Sequence, residues 1–211
     1  KKSINYLVPK SGRTRERKMK RLTFDKIVTA VGFGLTGLLL VTAGLLNWGA
    51  NFASDAVSSQ LVAQEIAMPT ETGNPDESAD VTEFFAKNGG AMLMNSEQSQ
   101  MYADNYLGFH LSKMPTYAAA SNSSRTAAAA LAADPGNAVL ISDAASKSAT
   151  VETVFKGTML RGTLLTAYAF GTLGSIAAIA ALVSLGGAIV MFLLSLLGLL
   201  HIRRTPLDAT I

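Results

Sequence analysis

The 211-residue chain contains no cysteine, only two histidines, one tryptophan, and 16% charged residues. Without thiols there is no disulfide framework, no thiolate nucleophile, no cysteine-ligated zinc or iron–sulfur cluster, and no covalent haem attachment. A metal centre takes three or four ligands, and His110 and His201 stand far apart in sequence. Average soluble domains carry about 25% charged residues, so the chain is short of charge as well. The charge it has is segregated. Residues 1–26 hold ten of the 18 basic residues against Glu16 and Asp25, whereas residues 51–161 hold twelve acids and six bases. The only other charges are Arg203, Arg204 and Asp208, and two runs between these blocks carry none. A one-domain soluble enzyme does not distribute charge in this way; a small membrane protein does.

The first uncharged run covers residues 27–54, with its apolar heart at 27–46. A bilayer core of about 30 Å needs about 20 helical residues, so one crossing fits, assigned to 27–50. Asn47 and Trp48 close it, and an indole favours the headgroup zone. Signal-peptide apolar regions run to about 7–15 residues. This run is longer and reads as a retained anchor.

The second run, 162–202, would extend about 60 Å as one helix, twice the hydrocarbon thickness. A fold-back into two crossings needs a turn near 177–183, yet that stretch lacks proline, asparagine and aspartate. One crossing also puts Arg203 and Arg204 on the side of the basic N-terminus, as the positive-inside rule favours. The expectation is a single long helix, 161–202, crossing the membrane at about 176–200. Residues 203–211 form a cytoplasmic tail beside the cytoplasmic segment 1–26, and 51–160 form an extracytoplasmic domain. The predicted fold is all-α, with two transmembrane helices and a small, mostly helical outer domain in the plasma membrane.

Within the outer segment, 51–67 is predicted to continue the first helix until Pro69 stops it. Residues 68–80 (MPTETGNPDESAD) read as a linker. One or two helical turns are expected at 81–87, closed by Gly89 and Gly90. The firmest helix is expected at 96–114, capped by Asn95 with Gln98 or by Ser96 with Ser99, and ended by Pro115. Residues 118–120 and 126–133 are helix formers that terminate at Asp134, Pro135 and Gly136. Residues 139–141 read as a β-prone stretch too short for a sheet, and a helix is expected to start between 142 and 151 and feed the long second span. So small a domain buries a modest core unaided.

Chemistry-bearing constellations are scarce. His110 has only Asn105, Tyr106 and Lys113 at helical spacing, and reads as structural. His201 reads as an interfacial residue. No ionisable group lies mid-span to mark a proton or ion pathway. The paired acids Asp76/Glu77 and Asp80/Glu83 fall in or beside the linker, where solvated carboxylates are ordinary. Small residues at helix-packing spacing (Gly174/Ala178, Ala177/Ala181 and Ser184/Ala188, with Gly32, Gly34, Thr36 and Gly37) favour close helix pairing or docking in lipid. Arg13, Arg15, Arg17, Lys18, Lys20 and Arg21 form a basic run that serves as a topogenic signal. The same run is a candidate clamp on anionic lipid or an acidic partner face. Tyr102, Tyr106, Phe109, Leu164 and Tyr168 are the candidate outer packing residues.

The segments LVTAGLLNWGA, VSSQLVAQEIAMP, MYADNYLGFHL, TYAAAS and the terminal TMLRGTLLTAYAFGTLGSIAAIAALVSLGGAIVMFLLSLLGLLHIRR carry a resemblance. The chain resembles the two-span membrane proteins of actinobacteria often labelled "aromatic ring-opening dioxygenase". That label is at odds with this sequence, since a ring-cleaving iron site needs clustered histidine and carboxylate ligands. Proteins that look like this also accompany the actinobacterial supercomplex of cytochrome bcc and cytochrome oxidase. The resemblance thus implies an accessory subunit without catalysis or cofactor, whose partners are those integral membrane subunits and anionic lipids, not nucleic acid. The alternative is a two-span sensor or envelope ligand-binding module.

Overall fold

The computed structural model describes residues 21–204 and Pro206. Among these the regular elements are all helical, in the order α1 (Arg21–Val62), α2 (Ala79–Asn88), α3 (Ser96–Met101), a π-helical segment (Tyr102–Leu107), α4 (Gly108–Ser112), α5 (Tyr117–Ala133) and α6 (Ala138–Arg204). Helices α1 and α6 are long and apolar enough to cross a membrane. No break interrupts α6 at 177–183, as expected where every residue is a helix former or small apolar residue. The chain divides into two compact units, one built from residues up to Ala43 and from Leu182 onward, the other spanning Gly44–Ala181.

In the first unit, small and hydroxyl side chains form the contact between α1 and α6. Thr29, Thr36, Ala188 and Ser195 are buried. A methyl group added at Gly32 would overlap the Ser195 Oγ, and one at Gly198 would lie 2.6 Å from Thr29 Oγ1. Phe33 meets Phe192 edge-on with centroids 6.1 Å apart. The hydroxyls do not bridge the helices. Thr36 donates to the Gly32 carbonyl at 2.9 Å and Ser195 to the Met191 carbonyl at 2.8 Å, so each satisfies its hydrogen bond within its own helix. Leu38, Val41, Leu182, Val183, Leu193 and Leu197 point outward and are exposed.

The second unit has the opposite arrangement. Its core is Val57, Leu61, Met68, Phe85, Leu93, Ala103 and Leu164, with Phe85 and Leu93 fully buried. Helix α1 stops at Val62 rather than 67, since Glu65 takes the left-handed conformation at φ 51°. The chain then runs beside residues 90–93: Met68 N–H donates to the Ala91 carbonyl, Gly90 N–H to Met68, and Leu93 N–H to Ile66, each at 2.8 Å. The start of the expected linker is therefore core, with Met68 and Thr72 both buried. Gly73, at φ +78°, turns the loop against the His110 ring. Asn95 accepts from the Gln98 N–H at 2.9 Å and caps α3. Of the two caps considered this is the one made; Ser99 is instead buried.

One expectation is extended and one is corrected. Residues 118–120 and 126–133 belong to one helix, α5, whose start is capped by the Thr116 hydroxyl accepting from Ala119 N–H at 3.3 Å. Residues 139–141 are helical, and α6 begins at Ala138. The Asn137 side chain accepts from Val139 N–H at 3.0 Å and from Leu140 N–H at 3.4 Å. An asparagine cap of this kind outweighs the β preference of three branched or apolar residues.

Candidate interaction surfaces

Of the basic run, Arg13, Arg15, Arg17, Lys18 and Lys20 lie outside the described residues. Arg21 opens α1 and is exposed. The five outer candidates do not share one role. Leu164 sits in the core with 2% exposure. Tyr102 and Tyr106 pack against that core and are half-buried, with ring centroids 5.0 Å apart. Phe109 lies beside them, edge-on to His110 and under the Lys113 ammonium at 4.8 Å. Tyr168 is half-buried on α6.

Tyr102 and Tyr106 lie in the π-helical segment. There the backbone widens by one residue, and Gly108 N–H bonds the Ala103 carbonyl five residues back. Such segments often accompany functional sites. The same Ala103 carbonyl accepts from Arg161 Nε at 3.0 Å, while Arg161 Nη2 pairs with Asp104 at 2.7 Å. Arg161, which immediately precedes the long uncharged run of α6, is thereby committed to holding the α3–α4 segment on α6. Both partners of the pair are 40% exposed, so solvent screens its electrostatic part. Burial raises the Tyr102 hydroxyl above its ordinary pKa, with the neighbouring Tyr106 adding to the effect.

His110 faces the Tyr106 ring with centroids 4.4 Å apart and bonds the Tyr106 carbonyl through Nδ1 at 2.8 Å. A carbonyl only accepts, so Nδ1 carries the proton. Among the described residues no group of three or more histidine, aspartate or glutamate side chains converges to hold a metal ion. At the far end of the first unit, His201 Nε2 lies 3.7 Å from the Asp25 carboxylate.

Comparison of the chain with protein-family models, curated proteins and solved structures finds no match. The site must therefore be read from its own geometry.

Two surfaces stand out. One is a groove of 510 Å³ between residues 52–66 and 160–170. It is floored by Val57, Leu61 and Leu164 and walled by Phe52 and Phe170, which are 61% and 54% exposed. The other is the α5–α6 surface, where Tyr117 stacks at a tilt on Phe155 (centroids 6.0 Å) and Phe155 and Met159, one turn apart on α6, stand exposed. Phe52, Ala56 and Gln60 recur every four residues, which puts them on one face of α1. Thr163 and Ala167 carry no comparable signal, because small and hydroxyl residues are ordinary throughout α6.

Proposed function

We propose that this chain is a two-span membrane protein that acts without catalysis, packing as an accessory subunit against a larger integral membrane complex. The observation that carries the reading is the outward-facing apolar surface of the two long helices. Only 22% and 11% of their most apolar stretches are buried, whereas the core helix of a soluble protein would bury most of that length. Lipid is the solvent in which such a surface is stable. The positive block at 1–26 and the arginine pair at 203–204 support a topology with both termini cytoplasmic and the segment between the spans outside the cell.

Partner packing is supported by the second unit. Phe155 and Met159, one turn apart on α6 with Phe155 against Tyr117, expose apolar side chains on a segment that this topology puts in water, and grouped apolar exposure of that kind marks association surfaces. The proposed host is the respiratory supercomplex of cytochrome bcc and cytochrome oxidase, through the resemblance described above, with a role in assembly or stabilisation. Anionic lipid would meet the basic segment that ends at Arg21. Affinity purification of the tagged chain from gently solubilised membranes, followed by mass spectrometry, tests this. Stoichiometric recovery of oxidase and bcc subunits is expected; a chain that emerges alone and monodisperse contradicts it.

A further inference from the structure

The groove between 52–66 and 160–170 has the size and lining of a ligand site rather than of an incidental crease. Its 510 Å³ falls within the roughly 300–1,000 Å³ of small-molecule sites, which are mostly apolar with a few placed polar groups. Its floor is fixed, since Val57, Leu61 and Leu164 belong to the core cluster. None of its thirteen lining residues is ionisable.

The polar groups in it are few and differ in availability. Thr163 and Thr166 donate to the Met159 and Gly162 carbonyls at 3.0 and 2.9 Å, so their protons are already used within α6. The Gln60 and Gln64 amides are exposed and make no hydrogen bond to other described residues. Gln60 follows Phe52 by two turns of α1, and Gln64 lies in the turn just past the helix end at Val62. Phe52 itself follows Trp48 by one turn and stacks on it with centroids 5.9 Å apart. The groove therefore starts one turn past the residue that closes the apolar run and ends at two free amides.

We infer that this groove binds a membrane lipid with an uncharged headgroup. Its acyl chain lies along Phe52, Ala56, Ala167 and Phe170, and its ester or hydroxyl oxygens meet the Gln60 and Gln64 amides. Charge selects the headgroup class. Exposed Glu65 adjoins Gln64 at the amide end, and residues 51–161 carry twice as many acids as bases. A phosphate there would be repelled, with no arginine or lysine in the groove to pair with it. A diacylglycerol-type head offers carbonyl and hydroxyl oxygens that neutral amides satisfy.

The inference rests on membrane residence but not on the accessory role. Its test reconstitutes the full chain into phosphatidylcholine vesicles containing diazirine-tagged dioleoylglycerol or diazirine-tagged phosphatidylglycerol, with photolabelled peptides mapped by mass spectrometry. Both probes should label 27–46 and 176–200, which reports insertion. Dioleoylglycerol should label 52–66 and 160–170 about fivefold more than phosphatidylglycerol, the factor that one solvent-exposed like-charge contact of about 1 kcal/mol supplies. Ala167→Trp, which fills the groove, should abolish that labelling while leaving the spans labelled. The surface variant Glu65→Gln should narrow the preference between probes, and Gln60→Leu/Gln64→Leu should lower groove labelling by both, since both carry the ester and hydroxyl oxygens that the amides meet. Labelled spans with a bare groove overturn the inference alone. Equal labelling by both probes, or groove labelling unchanged in Ala167→Trp, overturns it as well. Unlabelled spans together with an unlabelled groove overturn both it and the membrane reading.

Discussion

The two units of this chain solve the packing problem in opposite ways. Between residues 21–43 and 182–204, glycine, alanine, serine and threonine are inside and leucine, valine and isoleucine are outside. Within Gly44–Ala181, Phe85, Met68, Leu93 and Leu164 are inside, and most charged side chains are at the surface. Burying small residues while exposing large ones would be unfavourable in water, where removal of apolar area drives association. In hydrocarbon that drive vanishes and close backbone approach takes over. The contrast is the one that the proposed membrane reading predicts, with a different solvent for each unit, and each should respond to mutation by its own rule.

The largest effect is expected in the second unit. Phe85→Ala empties a fully buried site and should cost about 3–5 kcal/mol. Chemical denaturation in micelles, followed by proteolysis of residues 66–112, would register it. Helix pairing in the first unit should survive. A loss of less than 1 kcal/mol would mean that this core is not the stabilising one.

The mirror experiment inserts bulk into the first unit. Gly32→Leu drives a side chain into Ser195, and overpacking of this kind costs about 1–3 kcal/mol. Oxidative cross-linking of a Phe33→Cys/Phe192→Cys pair should fall sharply in that background, with the second unit's denaturation unchanged. Unaltered cross-linking would show that small-residue contact does not set the pairing.

A smaller change is expected from Arg161→Met. It removes one hydrogen bond to Ala103 and a half-exposed ion pair, about 1 kcal/mol together. Hydrogen exchange should accelerate at Gly108 and through 102–107 before it does in α5. Acceleration spread evenly over the second unit would assign Arg161 a global rather than a local role.

The smallest effect is a pH dependence. The raised Tyr102 pKa means that the folded unit holds a proton that the unfolded chain has already released. The contribution is therefore complete below the unfolded tyrosine value of about 10, and is lost as pH rises from there through the folded value. Alkaline denaturation of Tyr102→Phe should show less of this loss than the parent chain.

The contrast between units also explains what the sequence discloses. The long helices are legible because their signal is local: uncharged length, no proline, and no turn former at 177–183. The Asn95 cap and the Pro115 stop are local too. The burial of Met68 was hidden in a stretch with linker composition, because it depends on backbone pairing with 90–93. The π-helical segment was invisible for a similar reason, since the Arg161 bond to Ala103 crosses 58 residues. The start of α6 was in principle readable from Asn137, but the β preference of 139–141 masked it. Of the candidate site residues, Leu164 was read as partner-facing or domain-facing, and its core position follows only once Val57, Leu61 and Phe85 are placed around it.

Because the chain has no cysteine, single-cysteine variants give a clean map of which solvent each position meets. The most direct test is labelling by a membrane-impermeant maleimide in intact and permeabilised cells, with cysteine placed at Leu38, Lys147, Leu193 and Arg204. The expected result is labelling at 147 in intact cells, at 204 only after permeabilisation, and at neither 38 nor 193 in either state. Labelling at 204 from outside, or at 38 and 193 from water, would contradict the two-solvent division of the molecule.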